Sequence, residues 1–154
     1  MYKSVPVTAA TPALADLTRD ECLRLLGAGQ IGRLVVLTAV GNTPVIRPVN
    51  YVFDEASQSV AFRCAQGTKL ITLLHASRAW FEVDEIDVAN RTGWSVLIAG
   101  VAEPVTERHE IHRLERLGLE SWIAGPASHW IRVRARVVSG RRIAASVPAT
   151  QTDS

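Results

Sequence analysis

Six β-rich runs, at residues 31–40, 44–53, 59–65, 78–84, 94–103 and 129–138, fill most of this chain, and neighbours are joined mainly by hairpin turns or short links. No helix alternates with them in the rhythm that a parallel, doubly wound sheet requires, and no internal repeat appears. The pattern therefore predicts a mainly β, antiparallel protein with short helices. A closed or split barrel with helices at its ends fits best, because closure removes exposed strand edges. Gly41, Asn42 and Thr43 turn the first hairpin, and residues 54–58 turn the second. Pro48 has no N–H for a ladder, so it belongs at an edge, at a bulge, or where its strand leaves a partner.

Three helices are expected beside the strands. Thr18 and Glu21 have the spacing of a capping box, with Leu17 placed to staple against Cys22. Leu23, Leu25 and Leu26 supply an apolar side, and Gly27 and Gly29 end the helix. Leu70, Ile71, Leu73 and Leu74 form one helical face over residues 68–76. Thr106 is set to cap a third helix over 107–117, which Gly118 terminates. Residues 1–16 read as a flexible arm, 17–143 as the domain, and 144–154 as a loose tail.

At 154 residues the chain is one domain's worth, and its 17 basic against 15 acidic side chains point to no charged partner. Cys22 and Cys64 lack metal-knuckle spacing and read as small buried hydrophobes. There is no signal-peptide core and no run approaching a membrane span, so a cytoplasmic location is the default expectation.

Gly67, Thr68 and Lys69 follow the third run and open a helix. They combine free backbone N–H groups, a hydroxyl and a cation at the positive helix end, which suits a phosphate. On their own such residues are more often structural. Arg47 and Arg63, on the neighbouring strands, strengthen the phosphate reading if the hairpin register lets both approach it. His109 and His112 share a helix face but lack further metal ligands, so they read as surface histidines. Cys64 has no evident histidine, and no Gly-x-Ser-x-Gly is present, so nucleophilic catalysis has no support. Alternation puts Trp130, Arg132, Arg134 and Arg136 on one strand face, which suits single-stranded nucleic acid. Pairing of those arginines with Glu82, Asp84 and Glu85 is the favoured alternative. Trp80 reads as core or interface, while Trp94, Trp122 and Trp130 flank turns where an indole can cover a flat ring.

Several segments together resemble a known family. Arg47-Pro48-Val49-Asn50-Tyr51, residues 62–70 ending in Gly67-Thr68-Lys69-Leu70, Phe81-Glu82-Val83-Asp84, Arg91-Thr92-Gly93-Trp94-Ser95-Val96 and Gly140-Arg141-Arg142-Ile143 are similar to the pyridoxamine 5′-phosphate oxidase-like flavoproteins. This is the FMN-binding split-barrel group, and the closer likeness is to its small actinobacterial branch. The resemblance implies flavin-phosphate contacts at Arg47, Thr68 and Lys69, with the backbone of Val49 and Asn50 beside the isoalloxazine and Arg63 and Cys64 on the ribityl side. It also implies a homodimer in which Trp94 and Ser95, with Trp130 and Arg141, come from the second subunit. Val52 stands where the vitamin B6 oxidase has lysine, and that enzyme's Arg-x-His segment is absent, so pyridoxal phosphate synthesis is not expected. Relatives in the wider group use deazaflavin or haem. The expectation is an FMN-binding, homodimeric split-barrel oxidoreductase with an unknown small-molecule substrate and no assigned catalytic side chain. The alternative is a non-catalytic flavin or deazaflavin binder, and nucleic-acid binding ranks last.

Overall fold

The computed structural model describes residues 13–40, 42–65, 78–122 and 129–145. Among the described residues there are nine strands: β1 (Ala13–Asp16), β2 (Ile31–Leu37), β3 (Pro44–Asn50), β4 (Val52–Asp54), β5 (Ser59–Cys64), β6 (Arg78–Asp87), β7 (Thr92–Pro104), β8 (His129–Arg134) and β9 (Val137–Ala144). Two helices accompany them, α1 (Arg19–Ala28) and α2 (Arg108–Glu115). Every strand pair is antiparallel, in the order β3-β2-β6-β7-β8-β5-β4, with β9 added to β7 and β1 to β9. The 13-residue β7 joins two halves, pairing β6 and β9 along most of its length and β8 at its end.

The six expected runs become nine strands through two breaks and one addition. Tyr51 separates β3 from β4: its N–H continues the β2-β3 register to Gln30 O at 3.1 Å, and its phenol bonds Leu26 O at 2.6 Å. That anchor swings the chain from β3 to β4. It also explains Gly29, where a Cβ would collide with the Tyr51 hydroxyl. The last run breaks where Ala135 N–H turns to Gln58 O at 2.9 Å, so Arg136 lies outside the strand. The added strand is β1. Residues 13–16, expected in a flexible arm, pair with residues 141–144 of β9. Pro48 lies on β3, an edge strand, which is one of the three positions open to it.

The core lies between the two halves. Leu34, Phe81, Val83, Val96 and Ile98 face Val60, Phe62, Ile131 and Val133, while α1 inserts Cys22 and Leu26. The period-2 alternation on β6 holds, with Ala79, Phe81 and Val83 buried and Trp80, Glu82 and Asp84 partly exposed. Trp80 is therefore on the outer face and not in the core.

The α1 capping box forms as its spacing predicts. Thr18 N–H donates to Glu21 Oε2 at 2.8 Å, and Glu21 N–H to Thr18 Oγ1 at 3.2 Å. Gly27 lies inside this helix and Gly29 caps it. The α2 cap is Glu107, not Thr106, and no side chain bonds the first turn. Gly118, at φ +70°, lets the chain reverse two residues past the α2 end turn. The helix expected over 68–76 lies outside the described residues.

Candidate functional site

A row of chemically useful residues crosses the outer face of the β4-β5-β8 half. Arg63 on β5 pairs with Trp130 on β8, and its guanidinium sits 5.7 Å from the indole centroid, within cation–π range. The β4-β5 ladder pairs Val52 with Ala61. Asn50 ends β3, where it pairs with Ile31 of β2. Trp130 is 5% exposed and packs with Ala61, Val105 and Leu114 beneath α2, with Val52 at the cluster's margin.

Two buried side-chain donors, on Asn50 and on Trp130, lack partners. Asn50 Oδ1 accepts from the Trp122 N–H at 3.0 Å, but Asn50 Nδ2 is buried without an acceptor, and so is Trp130 Nε1. A buried donor left unpaired costs about 1–3 kcal/mol, so such atoms mark places where a further group fits. Both belong to residues that the sequence associates with a cofactor. On this observation the two donors fit a group carrying hydrogen-bond acceptors.

The other expected contacts are spread differently. Arg47 lies on edge strand β3 opposite Leu34, on the alternation side whose neighbours Val45 and Val49 pack against the core. Its Nη1 donates to Ile46 O at 3.0 Å. Arg63 points away from the core, so the register does not bring the two arginines to one face. Cys64 is buried in the core, and burial pushes its thiol up to about 11. That is a packing residue rather than a nucleophile. Thr68 and Lys69 lie outside the described residues.

Ser95 and Arg141 are direct cross-strand partners on β7 and β9. They line an open cleft of about 470 Å³ with Asp16 and Leu17, and Asp16 Oδ1 is 3.6 Å from Arg141 Nε. Trp94 alternates to the other side and packs against the core. Trp130 packs against Arg63 of its own chain.

Sequence reasoning missed the polar network that docks α2. Arg113 donates from Nε and Nη2 to the two Asp54 oxygens at 3.0 and 2.8 Å, and Ser57 Oγ adds a third bond. Burial works against ionisation of Asp54, which is 3% exposed, but the bonds from Arg113 and Ser57 together hold its carboxyl below the ordinary value. Arg132 bonds Glu103 and Glu110, each at 2.8 Å, and Arg134 shares Glu103 at 2.8 Å. The Arg132 bond holds Glu110 below its usual value.

Opposite-charge pairing of Arg132 and Arg134 was expected, but with other carboxylates. Glu82 and Asp84 are engaged by Arg33, at 3.1 and 3.0 Å. On the strand face that carries them, Trp130 is buried and Arg132 and Arg134 are paired with carboxylates, while Arg136 is exposed. His109 and His112 are exposed on α2, and among the described residues no group of three or more His, Cys, Asp or Glu gathers as a metal site. Nor is any described helix long and apolar enough to cross a membrane.

The chain is similar to known proteins over nearly all of these elements. A family model described as "Pyridoxamine 5'-phosphate oxidase" matches residues 18–142. The uncharacterized protein Rv0080 of Mycobacterium tuberculosis is 31% identical over 142 residues, 86% of this chain and 87% of that protein. A structure described as the FAD binding protein from Mycobacterium smegmatis superposes with a TM-score of 0.74 at 36% identity, covering 86% of this chain and all (100%) of that one. A putative pyridoxamine 5′-phosphate oxidase from Corynebacterium glutamicum superposes with the same TM-score, 0.74, at 28% identity, covering 89% and 97%. The antiparallel sheet with its two short helices thus matches split-barrel structures, and the chain belongs to the pyridoxamine 5′-phosphate oxidase family.

Proposed function

We propose that this protein binds a flavin nucleotide and works, as a homodimer, as a flavin-dependent oxidoreductase that does not make pyridoxal phosphate. The observation that carries the reading is the pair of partnerless buried donors, Asn50 Nδ2 and Trp130 Nε1, the second on the cross-strand partner of Arg63. Support comes from the M. smegmatis relative described as FAD binding, 36% identical over 86% of this chain. FMN and FAD share the ring and the first phosphate, so both suit the same set of contacts. A bound flavin supplies hydride or electron transfer, and the chain's own residues orient it. Arg47, Thr68 and Lys69 are the proposed phosphate contacts, with the Val49 and Asn50 backbone and the strand carrying Arg63 and Cys64 along the ring and ribityl chain. Val52 offers no cation where the B6 oxidase has lysine.

The homodimer reading is supported by the outer face of the other half. The registers line up Ile46, Val35, Trp80, Ala99 and Val137 in a row across five strands. Leu37 and Leu97 flank it, 38% and 41% exposed. An apolar face of this extent marks a contact surface. Ser95 and Arg141 share that face, so a second copy seated there brings its own Trp94–Ser95 strand near the first. Two measurements test the function. Lys69→Ala should weaken FMN more than riboflavin, and equal losses would remove Lys69 as a phosphate contact. Reduction of the bound flavin by a nicotinamide or deazaflavin donor, then turnover with an acceptor, separates an enzyme from a binder that only stores cofactor.

A further inference from the structure

Beside the apolar row on the outer face of the β3-β2-β6-β7-β9 half runs a second row, and it is charged. The registers set Pro48, Arg33, Glu82, Leu97 and Ser139 next to one another across the same five strands. Asp84, two residues along β6 from Glu82, projects to the same side. Arg33 Nη1 reaches Glu82 Oε2 at 3.1 Å and Asp84 Oδ1 at 3.0 Å, so one nitrogen serves two carboxylates. A guanidinium has five N–H donors, and with the Arg33 side chain 44% exposed and those of Glu82 and Asp84 27% and 31% exposed, all three are open to further partners. Charge covered by a contact surface is costly unless it is matched, so this group limits how a second copy can sit on the face.

We propose that the face pairs with a second copy about a two-fold axis running along the strands between β2 and β6, so that Arg33 of each copy meets Glu82 and Asp84 of the other. This rests on the homodimer reading above and fixes how the two copies sit. An axis in that position exchanges β2 with β6 and β3 with β7. In the apolar row it lays Val35 on Trp80 of the second copy and Ile46 on its Ala99. In the charged row it lays Arg33 on Glu82 and Pro48 on Leu97. Across these four strands every charge meets its opposite and every apolar side chain an apolar one. Other placements fail on the same rows. An axis along β6 itself sets Glu82 on Glu82 and Arg33 on Leu97. An axis across the strands through Trp80 lets Arg78 meet Glu82 but sets Arg33 on Leu37, two residues beyond Val35 on β2. Face-to-face sheets with nearly aligned strands are a common packing, so the chosen axis asks for no unusual geometry.

The test reads assembly by light scattering in the full-length chain without added flavin, at physiological salt, where charges far from the contact are screened. Arg33→Glu and Glu82→Arg should each fold, as read by circular dichroism, and each should weaken self-association about tenfold or more, because each sets like charges against one another across the axis. An equimolar mixture of the two should recover the dimer, since each chain then presents the charge that the other has lost. Pairing only within the chain predicts a mixture no better than its components, and that result would overturn the proposal. So would recovery when Arg78→Glu takes the place of Arg33→Glu in the mixture, which would put the axis across the strands. A second measurement needs no charge reversal. A Pro48→Cys chain mixed with a Leu97→Cys chain should join through a short bis-maleimide linker faster than either joins itself, the native Cys22 and Cys64 being buried; equal rates would overturn the axis. A monomeric wild type would overturn the homodimer reading and the proposal with it, while flavin uptake by that monomer would leave the flavin reading standing.

Discussion

Asp54 is the residue whose sequence context says least about its role. It sits in what reads as a hairpin turn, yet it is 3% exposed and takes a two-pronged bond from Arg113, 59 residues away. Its carboxyl is held below the ordinary value, so its contribution to stability is present above the unfolded value of about 4 and lost as the pH falls through the lower folded value. Asn substituted for Asp54 should therefore cost about 2–3 kcal/mol at pH 7, because the Arg113 charge loses its partner. The gap from wild type should close on acidification below about pH 4, as measured by urea unfolding. A gap unchanged at pH 3 would contradict the pairing. By contrast, the Thr18–Glu21 capping box was fully legible, because both partners lie within one turn. What separates the two cases is sequence distance, since local bonds have a spacing and long-range bonds have none. The same limit hid the engagement of Arg33 with Glu82 and Asp84, and of Arg132 with Glu103 and Glu110.

At the scale of elements, the β-rich runs were legible from alternation and turn residues, but their breaks were not. Nothing in the run 44–53 announces that the chain leaves β2 after Tyr51, whose N–H makes the last bond of that register, to Gln30 O. The Tyr51 ring enters the core edge-on to Phe81 at 5.0 Å and bonds the end of α1. Tyr51→Phe removes that bond while keeping the ring. It should cost about 1 kcal/mol, read as a lowered Tm, and an unchanged Tm would show that the phenol does not fix the strand break. β1 was missed for a related reason. It is four residues long and exposed throughout, so it carries no burial pattern and is defined only by its pairing with β9. The α2 boundary was misplaced because Thr106 has the right chemistry for a cap, while the cap falls one residue later, on Glu107, and the helix starts at Arg108. Gly118 was read correctly as the end signal, and Gly118→Ala should cost about 1 kcal/mol because it forces a Cβ into the left-handed region. A substitution without effect on Tm would mean the turn relaxes freely.

For the whole molecule, the antiparallel architecture followed from the absence of alternating helices, and the family followed from motif order. Of the candidate site, the sequence named the residues but not their grouping. Arg63 and Trp130 pair across β5 and β8, Ser95 and Arg141 lie in a cleft on the other half, and Arg47 and Asn50 stand on edge strand β3. Residue types can be read along a chain, whereas faces depend on registers that cross it. The two groups belong to one site only if a second copy of the chain joins them. Ile46→Asp, in the apolar row and 55% exposed, should then shift the protein from dimer to monomer in light scattering and weaken flavin binding together with it. A monomeric wild type would dispose of the shared site. The most direct test of the central claim is titration of the purified protein, stripped of any bound small molecule, with FMN and FAD while following the visible flavin band. Saturable uptake of one flavin per chain, with the band shifted from that of free flavin, is the predicted result; no saturable uptake of either flavin would contradict it.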